Sequence, residues 1–340
     1  MDVTAGIVRL GEPAVALLRG TAQTCEPAAI GDAEFMELLD LPEDPADLPA
    51  SLTELPPAVL KRWIGFALRR QRTSSAPLGR KLVQEDIAEL LGCGREKVAH
   101  LESGRNMLNK LEVQALFSLY KCPQLVDSFL ELVKLAKKRR PVSPVVNGDP
   151  TRYTSYAGLE EGATGVETAS LLVPHGLSQT AGTAEAIMRT GEEEYTEDEI
   201  QERLEQRLER QSVLHRKSNP LKLWMVIPQA VLEDLPGPPE VQREQLQHFV
   251  ELAKLPHVDI QVLAKGTGVH RASHGPFTIM TFPIPGDSGL VYVETLIKGL
   301  FFEEADEIMR YKRIMDHLRA RAKSQEQSTR LMKQLWKELQ

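Results

Sequence analysis

The chain has 340 residues, of which 42% are hydrophobic and 26% are charged, and its formal net charge is −7. This length and apolar content suffice for two domains with buried cores, and no run approaches the roughly 18 apolar residues of a membrane helix. Its three cysteines, an odd number without paired metal-ligand spacing, argue against a disulfide scaffold and favour a reducing compartment. Because no basic region precedes an apolar stretch at the N-terminus, we expect no secretory signal and a cytoplasmic location.

The first 55 residues form an acidic N-terminal extension, with 11 aspartates and glutamates against 2 arginines. Apolar runs at 7–10 and 14–18, followed by the segment 32–39, fit a small unit of two strands and a helix. A partly ordered extension without its own fold is the simpler interpretation. Five prolines between positions 42 and 57 indicate a linker into the next segment.

Residues 56–140 reverse this balance, because they carry 17 lysines and arginines against 8 aspartates and glutamates. Positive charge concentrated in one segment of an acidic chain is the electrostatic footprint of a domain that binds polyanions. Apolar residues at helical spacing predict a first helix at 58–72 and later helices at 111–119 and 123–136. Proline, glycine and asparagine then mark a linker at 141–152.

The segment 84–106, QEDIAELLGCGREKVAHLESGRN, has the pattern of a helix-turn-helix. Its apolar positions sort into two short amphipathic helices, and Gly92-Cys93-Gly94 interrupts them where a sharp turn is needed. Gly104 is expected to end the second helix. Such a turn lets the second helix, at about 94–101, project into a DNA major groove. An αα-hairpin inside an ordinary helical core is the alternative interpretation, and the positive charge of the surrounding segment favours DNA binding.

A family pattern runs through both helices and the turn that follows them. Its positions are Gln84-Glu85-Asp86-Ile87-Ala88, Leu91-Gly92, Arg95, Val98 and Leu101-Glu102-Ser103-Gly104-Arg105-Asn106. With them, residues 58–138 resemble the helix-turn-helix domain of the lambda repressor-like, xenobiotic-response-element family. The sequence departs from that family at Gly94, where a capping Ser or Thr is usual, and at Glu96, an acidic residue near the front of the reading helix. The resemblance implies an all-α domain that reads operator DNA.

The candidate DNA contacts are polar residues that helical geometry turns away from the core. They are Gln84, Arg95, Glu96, Lys97, His100, Arg105 and Asn106. Arg95 is expected to donate two hydrogen bonds to guanine, and Glu96 can accept one from cytosine. Gln84, which starts the supporting helix, is placed to hold a phosphate, and Arg105 and Asn106 are expected to grip the DNA backbone. Because one such unit reads few base pairs, we expect a homodimer on a palindromic or pseudo-palindromic site.

Residues 153–340 are predicted to form a mixed α+β domain. Short β-branched runs bounded by proline or glycine predict its strands, and charged segments of helical period predict its helices. The predicted strands are 221–227, 258–263, 277–282 and 290–296, and the predicted helices are 192–216, 241–255, 302–322 and 328–339.

This second domain carries its own family pattern. The pattern consists of Tyr156, Gly158-Leu159-Glu160, Leu172-Val173-Pro174, Gln179-Thr180, Arg210-Gln211, Trp224, Val226-Ile227, Arg243-Glu244-Gln245-Leu246, Phe277-Thr278 and Val291-Tyr292-Val293-Glu294-Thr295. It is similar to the uncharacterised domain that accompanies the helix-turn-helix in WhiJ-like and related actinomycete regulators, from which His175 departs as an extra residue. The resemblance implies a regulator whose C-terminal domain binds an effector or a partner, often a small protein encoded by a neighbouring gene.

The sequence contains no phosphate-binding loop, dinucleotide fingerprint, nucleophile elbow or zinc-protease motif. We therefore expect a protein that is not an enzyme and that uses no cofactor or metal. Two functions stay open. One is a sequence-specific transcriptional regulator that binds double-stranded DNA. The other is an interaction module of the toxin–antitoxin type that binds a small partner protein, with autoregulatory DNA binding.

Overall fold

The computed structural model describes residues 38–74, 80–138, 150–190, 195–268, 272, 275–295 and 299–339. Its N-terminal part is helical, and its C-terminal part is a mixed α/β arrangement with a six-stranded sheet. The strands predicted at 7–10 and 14–18 lie outside these residues, and of the helix predicted at 32–39 only the end is described. Within the described ranges, no helix is long and apolar enough to span a membrane.

The helices described in the N-terminal part are α1 (Ala50–Thr53), α2 (Pro57–Ser74), α3 (Gln84–Leu90), α4 (Arg95–Glu102), α5 (Lys110–Leu119) and α6 (Val126–Ala136). The longest of them, α2, buries Leu60, Trp63 and Ile64 at the spacing that predicts it. It contacts both α4 and α6. The helices that the sequence predicts before residue 140 are thus present, and α6 is preceded by a 3-10 turn at Pro123–Leu125.

The proline-rich segment before α2 packs against the helices and does not act as a free linker. Leu41 and Leu52 are buried, and the Ser128 hydroxyl of α6 donates a hydrogen bond of 3.1 Å to the carbonyl of Glu43. Prolines restrict φ and remove backbone donors, but they do not stop the leucines between them from burying apolar surface. The composition of this segment therefore indicated neither its packing nor the short helix α1 that it contains.

The C-terminal part alternates helices with strands. Its elements are α7 (Pro150–Gly162), β1 (Gly165–Ala169), α8 (Ala181–Arg189), α9 (Glu197–Arg210), β2 (Lys222–Pro228), α10 (Gln229–Glu233), α11 (Pro239–Leu252), β3 (Val258–Leu263), β4 (Phe277–Thr281), β5 (Leu290–Glu294), β6 (Gly299–Phe302), α12 (Ala305–Arg321) and α13 (Gln325–Glu338). The strand order is β3-β2-β1-β4-β5-β6. The first three strands are mutually parallel, and β4, β5 and β6 each pair antiparallel to the preceding strand in that order.

The four predicted strands are β2 to β5, while β1 and β6 were not predicted. β1 lies in the middle of the sheet, where Glu167 is opposite Trp224 of β2 and Ile279 of β4. On one face, α12 packs Tyr311 against Phe277 with ring centroids 5.1 Å apart. At the β3 edge, α13 covers the strand, so that this edge is not left open for pairing.

α7 joins the helical part to the sheet, and its first residues replace the end of the linker predicted at 141–152. Its glycines allow close packing on α2, since an added Cβ at Gly162 would lie 2.3 Å from a methyl of Val59. Elsewhere on α7, the ring of Tyr156 contacts Tyr292 of β5 at 4.5 Å between centroids. α7 therefore contacts both parts of the chain.

Candidate functional site

The turn between α3 and α4 begins at Gly92, whose φ of +59° favours glycine over any side chain. Gly94 is the N-cap residue of α4 and offers no capping side chain. Both helices are amphipathic, as predicted: their buried side chains are Ile87, Ala88, Val98 and Leu101. The first turn of α4 is left facing away from the core.

The backbone at the end of α4 lies in direct contact with the backbone of α2. A Cβ at Gly65 would lie 2.6 Å from the carbonyl oxygen of Glu102, and one at Gly104 would lie 2.7 Å from the carbonyl oxygen of Lys61. Gly104 also has a φ of +70°, the left-handed conformation expected just after a helix. With no side chains between the two backbones, the position of α4 on α2 is closely defined.

The carboxylate of Glu102 links three helices. Arg72 of α2 donates to it from Nε and Nη2 at 2.5 and 2.9 Å, and the Gln84 amide of α3 donates to it at 2.9 Å. Arg72 also donates to the carbonyl of Leu82 at 3.0 Å. The sequence placed Arg72 only at a helix end. The sequence does not indicate the ion pair, because Glu102 lies 30 positions from Arg72.

Three predicted contacts meet at the N-terminal ends of α3 and α4. The Arg95 side chain is 69% exposed, and its Nε lies 3.2 Å from the amide oxygen of Gln84 and 3.2 Å from a carboxylate oxygen of Glu85. Glu96 is exposed beside it. The first turn of α4 therefore presents a guanidinium and a carboxylate, and the amide of Gln84 lies beside them at the start of α3.

The next two predicted contacts are less accessible. The ammonium of Lys97 forms an ion pair with Glu112 of α5. That hydrogen bond raises the pKa of Lys97 above its usual range. His100 is half-buried in the last turn of α4.

Arg105 and Asn106 follow α4, as predicted, and both are exposed. The backbone N–H of Asn106 donates to the carbonyl of His100 at 3.0 Å. One nitrogen of the Arg105 guanidinium lies 3.6 Å from a carboxylate oxygen of Glu303, which precedes α12. A predicted DNA contact is thus paired with an acidic residue of the C-terminal part.

Arg62 of α2 makes several polar contacts with the C-terminal part. Its Nε and Nη2 each donate to the Asp287 carboxylate at 2.7 Å, and Nη2 also donates to the carbonyl of Gly289 at 2.5 Å. Nη1 donates to Glu303 at 3.2 Å, and the guanidinium lies 5.0 Å from the centre of the Phe282 ring. Sequence reasoning missed this contact, because no local pattern connects residues 225 positions apart.

A second polar cluster is buried between α7, α9 and the sheet. The Glu160 carboxylate accepts a hydrogen bond of 2.8 Å from Arg210 Nε, and its other oxygen lies 3.9 Å from Nε2 of His175. The Tyr156 hydroxyl is 3.0 Å from the same His175 nitrogen. Burial lowers the pKa of His175 to about 4, so the imidazole is neutral at physiological pH. The cluster joins α7 to the loop after β1.

That loop also carries exposed apolar side chains. Leu172 and Val173 follow β1, and 71% of Leu172 is accessible to solvent. Leu172 and Val173 together form a small exposed apolar surface on this loop.

Residues 153–334 match the family model described as a domain of unknown function, DUF5753. The match covers α7 from its fourth residue, the whole sheet, and the helices up to α13. No curated protein matches the chain, and no solved structure matches it. Since more than half of the 340 residues fit this model, the chain belongs to the DUF5753 family.

Proposed function

We propose that the chain is a sequence-specific, DNA-binding transcriptional regulator of the cytoplasm, in which α3 and α4 act as a lambda repressor-like helix-turn-helix. One observation carries the proposal: α4 buries Val98 and Leu101 while it exposes Arg95 and Glu96 on its first turn. A helix held by its rear face with polar residues at its N-terminal end is what readout of a major groove requires. The excess of lysine and arginine in residues 56–140 supports the same conclusion.

In this proposal Arg95 reads sequence. Its guanidinium can exchange Gln84 and Glu85 for the O6 and N7 atoms of a guanine, and Glu96 can accept from the amino group of a neighbouring cytosine. Gln84 is oriented by its hydrogen bond to Glu102, and its position at the start of α3 lets its backbone N–H hold a phosphate. In the proposed interface, Arg105 and Asn106 contact the DNA backbone. Lys97 and His100 lie at the edge of the surface that contacts DNA.

Specificity of useful length requires two such units. We therefore propose a homodimer that places two copies of α4 about one DNA turn apart on a palindromic or pseudo-palindromic operator. The DUF5753 part would then bind the effector or partner that regulates the dimer.

The test is selection of bound duplexes from random DNA by the purified full-length chain at a fixed salt concentration. On the selected operator, Arg95→Ala is expected to weaken binding by roughly 1–3 kcal/mol, with little change on a scrambled duplex. Arg105→Ala, the matched control, should weaken binding to both duplexes alike. Failure to enrich any sequence, or equal losses on both duplexes for Arg95→Ala, contradicts the proposal.

The exposed Leu172 and Val173 favour a second candidate function, an interaction module that binds a small protein encoded by a neighbouring gene. Copurification with that gene product, followed by an operator-shift assay with and without it, separates the two. If the complex forms and the chain alone shifts no DNA, the interaction module is the primary function.

A further inference from the structure

We propose that the C-terminal part carries an acidic clamp that competes with DNA phosphate for Arg105. The acidic clamp consists of Asp287, Glu303 and Glu304, which face Arg62, Arg69 and Arg105 of the helical part. This inference rests on the proposed DNA-binding function, which it extends by a mechanism of regulation.

Glu303 is the central residue of the acidic clamp, because its carboxylate contacts two arginines. One carboxylate oxygen lies 3.2 Å from Arg62, and the other lies 3.6 Å from Arg105. The Glu303 side chain is only 25% exposed, whereas Arg105 is 59% exposed. The carboxylate is therefore anchored at the contact between the two parts and reaches the accessible guanidinium with its second oxygen.

Asp287 fixes this anchor. It holds Arg62 with two hydrogen bonds of 2.7 Å, and both side chains are almost fully buried. Arg62 is consequently not available to DNA. The pair between Arg69 and Glu304 is mostly solvated, so screening leaves it weak. Phosphate can replace Glu304 on Arg69 at little cost, so the exchange that opposes DNA binding is the one at Arg105.

A carboxylate on Arg105 opposes DNA binding in two ways. Carboxylate and phosphate compete for the same forked donors of a guanidinium. The uncompensated negative charge of Glu303 would also repel a phosphate brought against Arg105. Binding of DNA therefore requires Arg105 to exchange Glu303 for phosphate, while the buried pair of Arg62 and Asp287 stays intact. A ligand of the DUF5753 part that moves the segment before α12 would change DNA affinity through this exchange.

The test compares wild type with Glu303→Gln in the full-length chain. Glutamine keeps an acceptor for Arg62 and removes the charge. Affinity for a mixed-sequence duplex is measured by fluorescence anisotropy between 50 and 200 mM KCl. We expect tighter binding than wild type. In wild type the freed Glu303 carboxylate takes up a cation when Arg105 moves to phosphate, so Glu303→Gln releases about one more cation in net, which steepens the fall in affinity over this range by about 3.5-fold. Asp306→Asn removes the same charge from an exposed position in the first turn of α12, and it should leave the salt dependence unchanged.

The decisive comparison repeats Glu303→Gln in an Arg105→Ala background, where the acidic clamp predicts no gain. An equal gain in that background, or no gain in the wild-type background, overturns the acidic clamp while the DNA-binding function stands. If only Glu303→Gln binds DNA, the acidic clamp is supported in its strongest form. If neither wild type nor Glu303→Gln binds any duplex at low salt, the proposed function fails and the acidic clamp fails with it.

Discussion

Replacing Arg62 by methionine tests whether the buried ion pair stabilises the contact between the helical part and the sheet. Methionine retains an apolar stem beside Phe282 but donates no hydrogen bond. Asp287 would keep one backbone donor, the N–H of Gly289 at 3.1 Å. Its carboxylate would otherwise be left buried without a counter-charge, and the carbonyl of Gly289 would lose its bond to the guanidinium. Glu303 would lose its hydrogen bond from Arg62 and keep its ion pair with Arg105.

The magnitude follows from this inventory. Removing one partner of a buried pair costs roughly 3–5 kcal/mol, because the other charge remains uncompensated. The remaining backbone donor offsets part of that cost, so we expect Arg62→Met to lower the free energy of unfolding by about 3 kcal/mol. Arg69→Met is the matched control on the same helix. Its pair with Glu304 is half-exposed or more, and its loss should cost less than about 1 kcal/mol.

The assay is urea-induced unfolding followed by tryptophan fluorescence, to which Trp63 of α2 contributes from the helical part, and Trp224 of β2 and Trp336 of α13 contribute from the C-terminal part. A double variant, Arg62→Met with Asp287→Leu, removes both charges and is expected to recover most of the lost stability. The electrostatic account is refuted if Arg62→Met unfolds within about 1 kcal/mol of wild type. It is equally refuted if the double variant is no more stable than Arg62→Met.

Two further predictions concern α7 and the polar cluster on it. Gly162→Ala, whose new Cβ would lie 2.3 Å from Val59, should destabilise the chain by about 1–3 kcal/mol. In Gly158→Ala the new Cβ would lie 3.1 Å from Ala58, and alanine raises the helix propensity, so its stability in thermal unfolding should be close to that of wild type. If Gly158→Ala were the less stable of the two variants, the packing of α7 on α2 would be contradicted. Because burial holds the pKa of His175 at about 4, below its ordinary 6.5, the unfolded chain binds more protons between these values. His175 therefore contributes fully to the free energy of unfolding above pH 6.5, and this contribution is lost as the pH falls toward 4. Between pH 7 and pH 5 the loss is about 2 kcal/mol. His175→Asn should remove that part of the pH dependence of the free energy of unfolding in urea. If the pH dependence of the variant equals that of wild type, groups other than His175 cause it.

Local periodicity explains which elements the sequence predicts well. α2 and α4 bury apolar residues every three or four positions, and such a pattern needs no knowledge of distant residues. β1 is the counterexample, since Gly165, Glu167 and Ala169 give it little strand character. It forms a strand because β2 and β4 pair with it on both sides, and because the Glu167 carboxylate reaches Arg319 of α12 at 2.8 Å. These partners are defined only by the tertiary fold.

The residues of the candidate site also divide into those that local periodicity predicts and those whose contacts depend on the tertiary fold. Helical geometry is sufficient to predict that Val98 points inward and Arg95 outward, and both predictions are confirmed. The partner of Arg105 was not predictable, because Glu303 belongs to a part of the chain for which the sequence gives no register against the helices. The extra residue His175, a mere departure from the family pattern in the sequence, belongs to the buried cluster on α7.

Charge counting overstates the positive surface that residues 56–140 offer to a polyanion. Several of these cations are already engaged within the chain: Arg62 with Asp287, Arg72 with Glu102, and Lys97 with Glu112. The two arginines lie on α2, which also touches the backbone at the end of α4 through Gly65 and carries Val59 against α7. A displacement of α2 would therefore move α4 with it, because no flexible side chain separates the two backbones at Gly65. In the regulator that we propose, binding of an effector to the DUF5753 part would reach α4 by two physical routes, exchange of the anion on Arg105 and rigid movement of α2. Only the first of these changes the salt dependence of DNA binding.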